Sequence, residues 1–324
     1  GLSAAGRVCM CFIGPPMWRC VVRHGALALL LVVLVPAALL AAQVVTLGDG
    51  EPVEVRVLES TDARTVMEFE VASFERTPVE IDGKTYYSIA LDGGGISLDA
   101  GYPELPNIAR SIVIPDDAAM SYRVIDSHYV EYDGVHVVPS KGNLSREIDP
   151  ATVPFEFGEV YGENAWYPAD LVMARDPYIM RDFRGQAVVV NAFQVNPVTG
   201  ALRVYDRVVV EAVSSGPAKV NALTSRPAKL DPEFVEIYRG HFLNYDAVAT
   251  RYPDVADVGN MLVICYDSFM TAMEPFVEWK NQMGVPCEMV SVTTAGGTAS
   301  AIDTYVQNYY DTSGLTYLLL VGDA

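Results

Sequence analysis

The sequence predicts a multidomain chain, an all-β, sandwich-like domain followed by a truncated α/β domain of βαβαβ pattern on a parallel sheet. Apolar residues alternate with period two from Val44 to about Val213. A stretch rich in small residues and proline, "SSGPAKVNALTSRPAK" (Ser214 to Lys229), then interrupts the pattern. Beyond it, strand-like and helix-like segments alternate to the end of the chain. The boundaries read as residues 1–43, an export signal with an upstream extension; 44–225, the β-domain; 226–257, a linker with a processing junction; and 258–324, the opening part of the α/β domain.

The first element is the apolar run "ALALLLVVLVPAALLAA" from Ala26 to Ala42, preceded by Arg19, Arg23 and His24. It is short for a bilayer span, Pro36 interrupts it, and the small residues Ala41 and Ala42 close it. That reads as a secretory signal cleaved near Ala42. An uncleaved membrane anchor is the alternative. Met17 is a candidate start, which makes the residues before it an extension. The chain is therefore expected to be secreted or held at the cell surface.

Cleavage would remove Cys9, Cys11 and Cys20 and leave Cys265 and Cys287. One bridge between them would not staple a chain this long, and two buried free thiols are the preferred reading.

In the β-domain, Val53, Val55 and Val57 share one face, as do Met67, Phe69 and Val71, and "LRVYDRVVVEA" carries a third alternating run. Asp82-Gly83, Asp133-Gly134 and "NPVTG" (Asn196 to Gly200) are turn signals between runs. The linker region contains "PEFVEIYRGHFLNYD", with room for one short helix. In the α/β part, "NMLVICY" is a buried strand. A helix follows it with Pro275 in its first turn, Phe276, Val277, Lys280 and Met283 at helical spacing, and Gly284 at its end. "VPCEMVSV" is the second strand, and "TASAIDTYVQNYY" the second helix, lined by Ile302, Tyr305, Val306 and Tyr309. "TYLLLVGD" is the third strand.

Composition excludes several functions. A net charge of −19 repels nucleic acid and anionic membrane surfaces. The "GKT" at Gly83 lacks the earlier glycine of a phosphate loop and falls on a hairpin turn, and "DGGGISLDAG" opens no helix. No HExxH or GxSxG occurs. His128 and His136 flank a turn without facing each other, which argues against a metal site. Cys265 has only His241 near it in sequence, so a packed thiol is the stronger reading. Asp267 and Asp323 follow the first and third strands; a receiver-like phosphoacceptor pocket would use such a pair, by fold-level analogy alone.

Two stretches of the β-domain, "GYPELPNIARSIVIP" (Gly101 to Pro115) and "FQVNPVTGALRVYDRVVVE" (Phe193 to Glu211), resemble the propeptide of gingipain-type cysteine peptidases, family C25. "NMLVICYDSFMTAMEPFVEWKNQMGVPCEMV" and "AIDTYVQNYYDTSGLTYLLLVGDA" resemble the opening of that family's catalytic domain. The resemblance implies a β-sandwich prodomain that assists folding and keeps the enzyme latent through contact with a caspase-like α/β domain. It also implies a histidine–cysteine dyad acting on protein or peptide substrates. The only His-Gly pair, His24-Gly25, lies in the export signal, and neither Cys265 nor Cys287 matches the family nucleophile. The dyad is therefore expected beyond Ala324, no catalytic residue is assigned, and this stretch alone is expected to be inactive. No metal or cofactor is expected of these residues, although the family often binds calcium. A non-enzymatic secreted or cell-surface binding protein on the same sandwich is the competing class.

Arg251, in "AVATRYPDVADVGN", stands between the two domains, where the family is cut after a basic residue. It is the candidate processing and inhibitory residue; an ordinary solvated arginine is the alternative. Arg226 is weaker, because Pro227 follows it.

Overall fold

The computed structural model describes residues 41–224, 232–249 and 259–322. Strands fill the first range: β1 (Gln43–Thr46), β2 (Val53–Ser60), β3 (Arg64–Val71), β4 (Ser73–Ile81) and β5 (Lys84–Ala90). The short β6 (Gly95–Ile96) leads to β7 (Pro106–Val113) and the long β8 (Ala118–Tyr132). After two 3-10 turns come β9 (Val172–Ala174), β10 (Tyr178–Met180), β11 (Phe183–Val190), β12 (Phe193–Asn196) and β13 (Ala201–Pro217). These strands pair antiparallel with one another.

β13 is the spine of the largest sheet. It carries β8 along one edge, and β12 and then β3 along the other, with β2 beyond β3. The alternation read from sequence sets the inward face. Met67, Phe69 and Val71 are fully buried, and Val55 and Val57 stand opposite Phe69 and Met67 in register. Leu202, Val204, Val208 and Val210 join the same core. They meet Ile108, Ile112, Val188 and Val190 from β7 and β11 of a second sheet, and Phe74 and Ile89 from the sheet β1-β4-β5.

Alternate positions of the spine sheet carry charge. Glu68 accepts from Arg56 at 2.8 Å and from Arg207 at 2.7 Å. Glu211 accepts from Arg64 at 2.7 Å and from Arg123. Both carboxylates are buried beneath these guanidinium groups. Ions placed there need such partners, because burial without them is costly.

The turn signals behave differently from one another. Asp82 and Gly83, both at positive φ, join β4 directly to β5, which places "GKT" on a hairpin. Asn196 to Gly200 joins β12 to β13, with Gly200 N–H bonded to the Asn196 carbonyl at 2.9 Å. At Asp133-Gly134 the chain instead leaves the sheet, and Val135 donates to the Gly200 carbonyl.

Within the span read as linker, residues 232–249 are folded onto the β-domain. A 3-10 turn (Pro232–Phe234) precedes α1 (Val235–His241) and α2 (Tyr245–Ala249). Tyr238, Phe242, Tyr245 and Val248 recur every three or four residues, a helical stripe buried against Val113 and Phe183. The Phe183 ring meets Tyr238 edge-on at 4.9 Å and Tyr245 at 5.5 Å. Aromatic content of that density docks this segment, where room for one short helix was expected and two form.

The α/β part has three parallel strands, β14 (Met261–Cys265), β15 (Cys287–Ser291) and β16 (Tyr317–Val321), in the order β15-β14-β16. Between them run α3 (Met270–Gln282) and α4 (Ala299–Ser313). Thr298 caps α4 by accepting the Ala301 N–H, and Ile302, Tyr305, Val306 and Tyr309 pack on Leu262 and Ile264. Pro275 is not in the first turn of its helix, as expected, but inside it. A 3-10 turn (Asp267–Phe269) starts the helix early, so the proline forfeits one interior bond. Gly284, at φ 85°, follows that helix in the left-handed conformation that glycine suits.

Candidate functional site

Parallel α/β sheets present their chemistry at the carboxyl ends of the strands. At that edge β14 runs into Tyr266 and Asp267. Asp267 accepts from the Thr293 hydroxyl at 3.0 Å and from its backbone N–H at 3.3 Å, tying the loop after β14 to the loop after β15. Burial opposes ionisation of Asp267, but the hydrogen bonds from Thr293 and Ser291 prevail and hold its carboxyl below the ordinary value.

Cys265 is fully buried, and its thiol donates to the Tyr266 carbonyl at 3.4 Å. Burial, and then the charge of Asp267, push that thiol up, the reverse of what a thiolate nucleophile needs. Three histidines lie among the described residues, each engaged within the β-domain and its docked helices. His128 bonds Asp206 at 2.7 Å, half-buried His136 packs beside the Tyr86 ring, and His241 bonds the Tyr178 hydroxyl at 2.6 Å. Cys265 is therefore a packed thiol. Cys287 is half-buried, not buried as expected, because it opens its strand; both cysteines are free. The edge holds a carboxylate and a scaffold, with no nucleophile–base pair among the described residues.

The two folds meet just ahead of β14. Glu233, in the turn before α1, accepts the Gly259 N–H at 3.0 Å just ahead of β14. A side chain at Gly259 would come within 2.2 Å of the Thr316 hydroxyl, so only glycine fits that approach. Arg251 and Arg226 lie outside the described residues, as do Asp323 and nearly all of the apolar run that ends at Ala42.

Two residues that organise this region gave no usable signal in the sequence. Arg184, in β11, is 1% exposed. Its guanidinium donates to the carbonyls of Asn221 (2.7 Å), Pro115 (2.7 Å), Ala118 (2.6 Å) and Val220 (2.8 Å), fastening the segment after β13. Asn244, between α1 and α2, accepts from Val113 N–H at 2.7 Å and donates to Val113 O at 3.0 Å. An arginine in a strand and an asparagine in a loop both read as surface residues.

Among the described residues, no group of His, Cys, Asp or Glu is arranged to hold a metal ion, and no helix is long and apolar enough to cross a membrane.

Comparison with known proteins follows this two-part architecture. The family described as Propeptide_C25 matches residues 45–252, and Peptidase family C25 matches residues 255–324. The chain is 34% identical over 281 residues to Gingipain R2 of Porphyromonas gingivalis (strain ATCC BAA-308 / W83), an alignment covering 85% of this chain and 38% of that protein. It is 26% identical over 272 residues to Lys-gingipain HG66 of Porphyromonas gingivalis, covering 79% and 16%. The chain thus spans well under half the length of these relatives. Among solved structures, the complex of Porphyromonas gingivalis RgpB pro- and mature domains aligns with a TM-score of 0.57 and 30% identity, over 61% of this chain and 100% of that one. The chain belongs to the Propeptide_C25 family, and with the Peptidase family C25 match that follows it has the make-up of a gingipain-type peptidase precursor.

Proposed function

We propose that this chain is the N-terminal part of a secreted cysteine endopeptidase precursor whose prodomain assists folding and keeps the enzyme latent. The observation that carries the reading is the close succession of the two family matches, residues 45–252 and 255–324, with Arg251-Tyr252 closing the first. In this reading the β-domain is a sandwich, supported by the shared core in which Met67, Phe69 and Val210 meet Ile108 and Val188. The three parallel strands open a caspase-like sheet, and the histidine–cysteine dyad is supplied by residues that follow position 324. The apolar run ending at Ala42 directs export to the extracellular space or cell surface. Residues 44–225 form the prodomain, 226–257 carry the junction, and cleavage after Arg251 separates prodomain from enzyme. The enzyme acts on protein or peptide substrates, and if it prefers arginine, the Arg251 side chain would fill its specificity pocket before cleavage.

The test is to express the complete reading frame with Arg251 intact and as Arg251→Ala. Conversion to a form that begins at Tyr252, with hydrolysis of peptides carrying basic residues blocked by thiol alkylation, is the expected outcome, and the alanine variant stays uncut. A stable, uncut and inactive product from the intact frame would point instead to a binding protein.

A further inference from the structure

Arg181 stands in the two-residue turn between β10 and β11, where Met180 pairs with Phe183. Its φ is 51°. Turns of this kind select glycine, asparagine or aspartate at positive φ, and a long side chain there is under strain. Such strain persists where the surroundings over-determine it, and it marks places where the side chain has a task.

The surroundings of Arg181 come from both folds. Its guanidinium lies 4.4 Å from the centre of the Phe234 ring, in the turn before α1. It also lies 5.6 Å from the centre of the Tyr310 ring, in the last turn of α4. Its Nε is 3.5 Å from Asp182 Oδ2, and that oxygen also accepts the Tyr238 hydroxyl at 2.6 Å. The side chain is only 20% exposed, so its charge is partly withdrawn from water, where an aromatic face counts most. Phe234 stacks on Tyr238, which is anchored in the aromatic cluster under α1 and α2. The arginine is thus held from the β-domain side and also reaches the Tyr310 ring on the α/β side.

We propose that Arg181 is a docking pin. It recognises the aromatic ring at the end of α4 and holds the α/β unit against the β-domain. The partner is the chain's own C25 unit, read through Tyr310, with the Glu233 to Gly259 hydrogen bond as a second tie. On the precursor reading above, the pin governs how long a cut prodomain stays on the enzyme. The contact itself needs no peptidase activity.

Hydrogen–deuterium exchange on the uncut chain tests this. Arg181→Gly relieves the turn and removes the pin; it should raise exchange in the last turn of α4 about five-fold, the size of a partly desolvated cation–π contact. Peptides from β7 and β11 should keep their protection. Tyr310→Leu should produce the reciprocal rise at residues 233–238, and it carries the test should the Arg181 variant misfold. Arg181→Lys, which keeps a cation, should restore most of the protection in α4. The proposal is overturned if the end of α4 exchanges at the native rate in Arg181→Gly, or if changes stay within the β10–β11 turn. It is equally overturned if Tyr310→Leu leaves residues 233–238 unaltered. Because exchange reads docking and not hydrolysis, failure of the peptidase reading would leave these outcomes intact.

Discussion

The carboxamide of Asn244 treats Val113 as a neighbouring strand would, accepting its N–H at 2.7 Å and returning a hydrogen bond to its carbonyl at 3.0 Å. β7 ends there, and the side chain supplies the pairing that a strand would have supplied. Asn244→Leu keeps the volume and strands both backbone groups in a buried place, so it should cost about 2–4 kcal/mol. Urea unfolding followed by tryptophan fluorescence would measure it. A loss below about 0.5 kcal/mol would mean that water replaces the amide without penalty.

The ion ladder on the spine sheet makes stability depend on pH in one direction. Arg207 and Arg56 hold Glu68 below its ordinary value of 4.5, and Arg123 and Arg64 do the same for Glu211. The folded chain thus binds these protons more weakly than the unfolded chain. Their contribution is complete above the ordinary carboxylate range and fades as pH falls through the depressed folded values. The thermal midpoint should drop between pH 5 and pH 3. The double variant Glu68→Gln, Glu211→Gln should melt earlier at pH 7 and show a flatter curve; a parallel curve would remove the ladder from the account.

Arg184 satisfies four carbonyl groups with one guanidinium, a geometry that lysine cannot reproduce. Arg184→Lys should cost at least about 3 kcal/mol, given the carbonyls left unpaired. It should also open residues 217–224 to subtilisin before the rest of the β-domain. Uniform digestion of wild type and variant would show that the segment is held by something else.

The two thiols should react unequally. Burial raises both above the ordinary cysteine range, Cys265 inside the sheet and Cys287 at its rim. With a disulfide reagent at pH 7.5, Cys287 should label first and slowly, and Cys265 only under denaturant. Prompt labelling of Cys265 in the native chain would contradict its place in the sheet.

What could be read from the residues was whatever repeats with a physical period. Val53, Val55 and Val57, or Ile302, Tyr305, Val306 and Tyr309, announce their faces because a strand or helix must bury one side. The helical stripe from Tyr238 to Val248 was legible only as one short helix, because its second helix is a single short turn and its docking depends on Val113 and Phe183, distant in the chain. Pro275 misled in the same way, since nothing local announces the 3-10 turn that starts its helix early. Arg184, Asn244 and Arg181 stayed hidden for a different reason. Each takes its meaning from carbonyls or rings that lie distant in the chain, and no window of neighbouring residues contains that information.

The spine strand β13 has a consequence for how the molecule comes into being. Arg207 on β13 and Glu68 on β3, joined across the sheet, are 139 residues apart in the chain. Almost the whole of the β-domain must therefore be available before its largest sheet can close. Loops of that length are slow to form and yield no contacts until they do. The early strands wait without their central partner, and assembly becomes one late, concerted event whose clock is set by the arrival of residues 201–217.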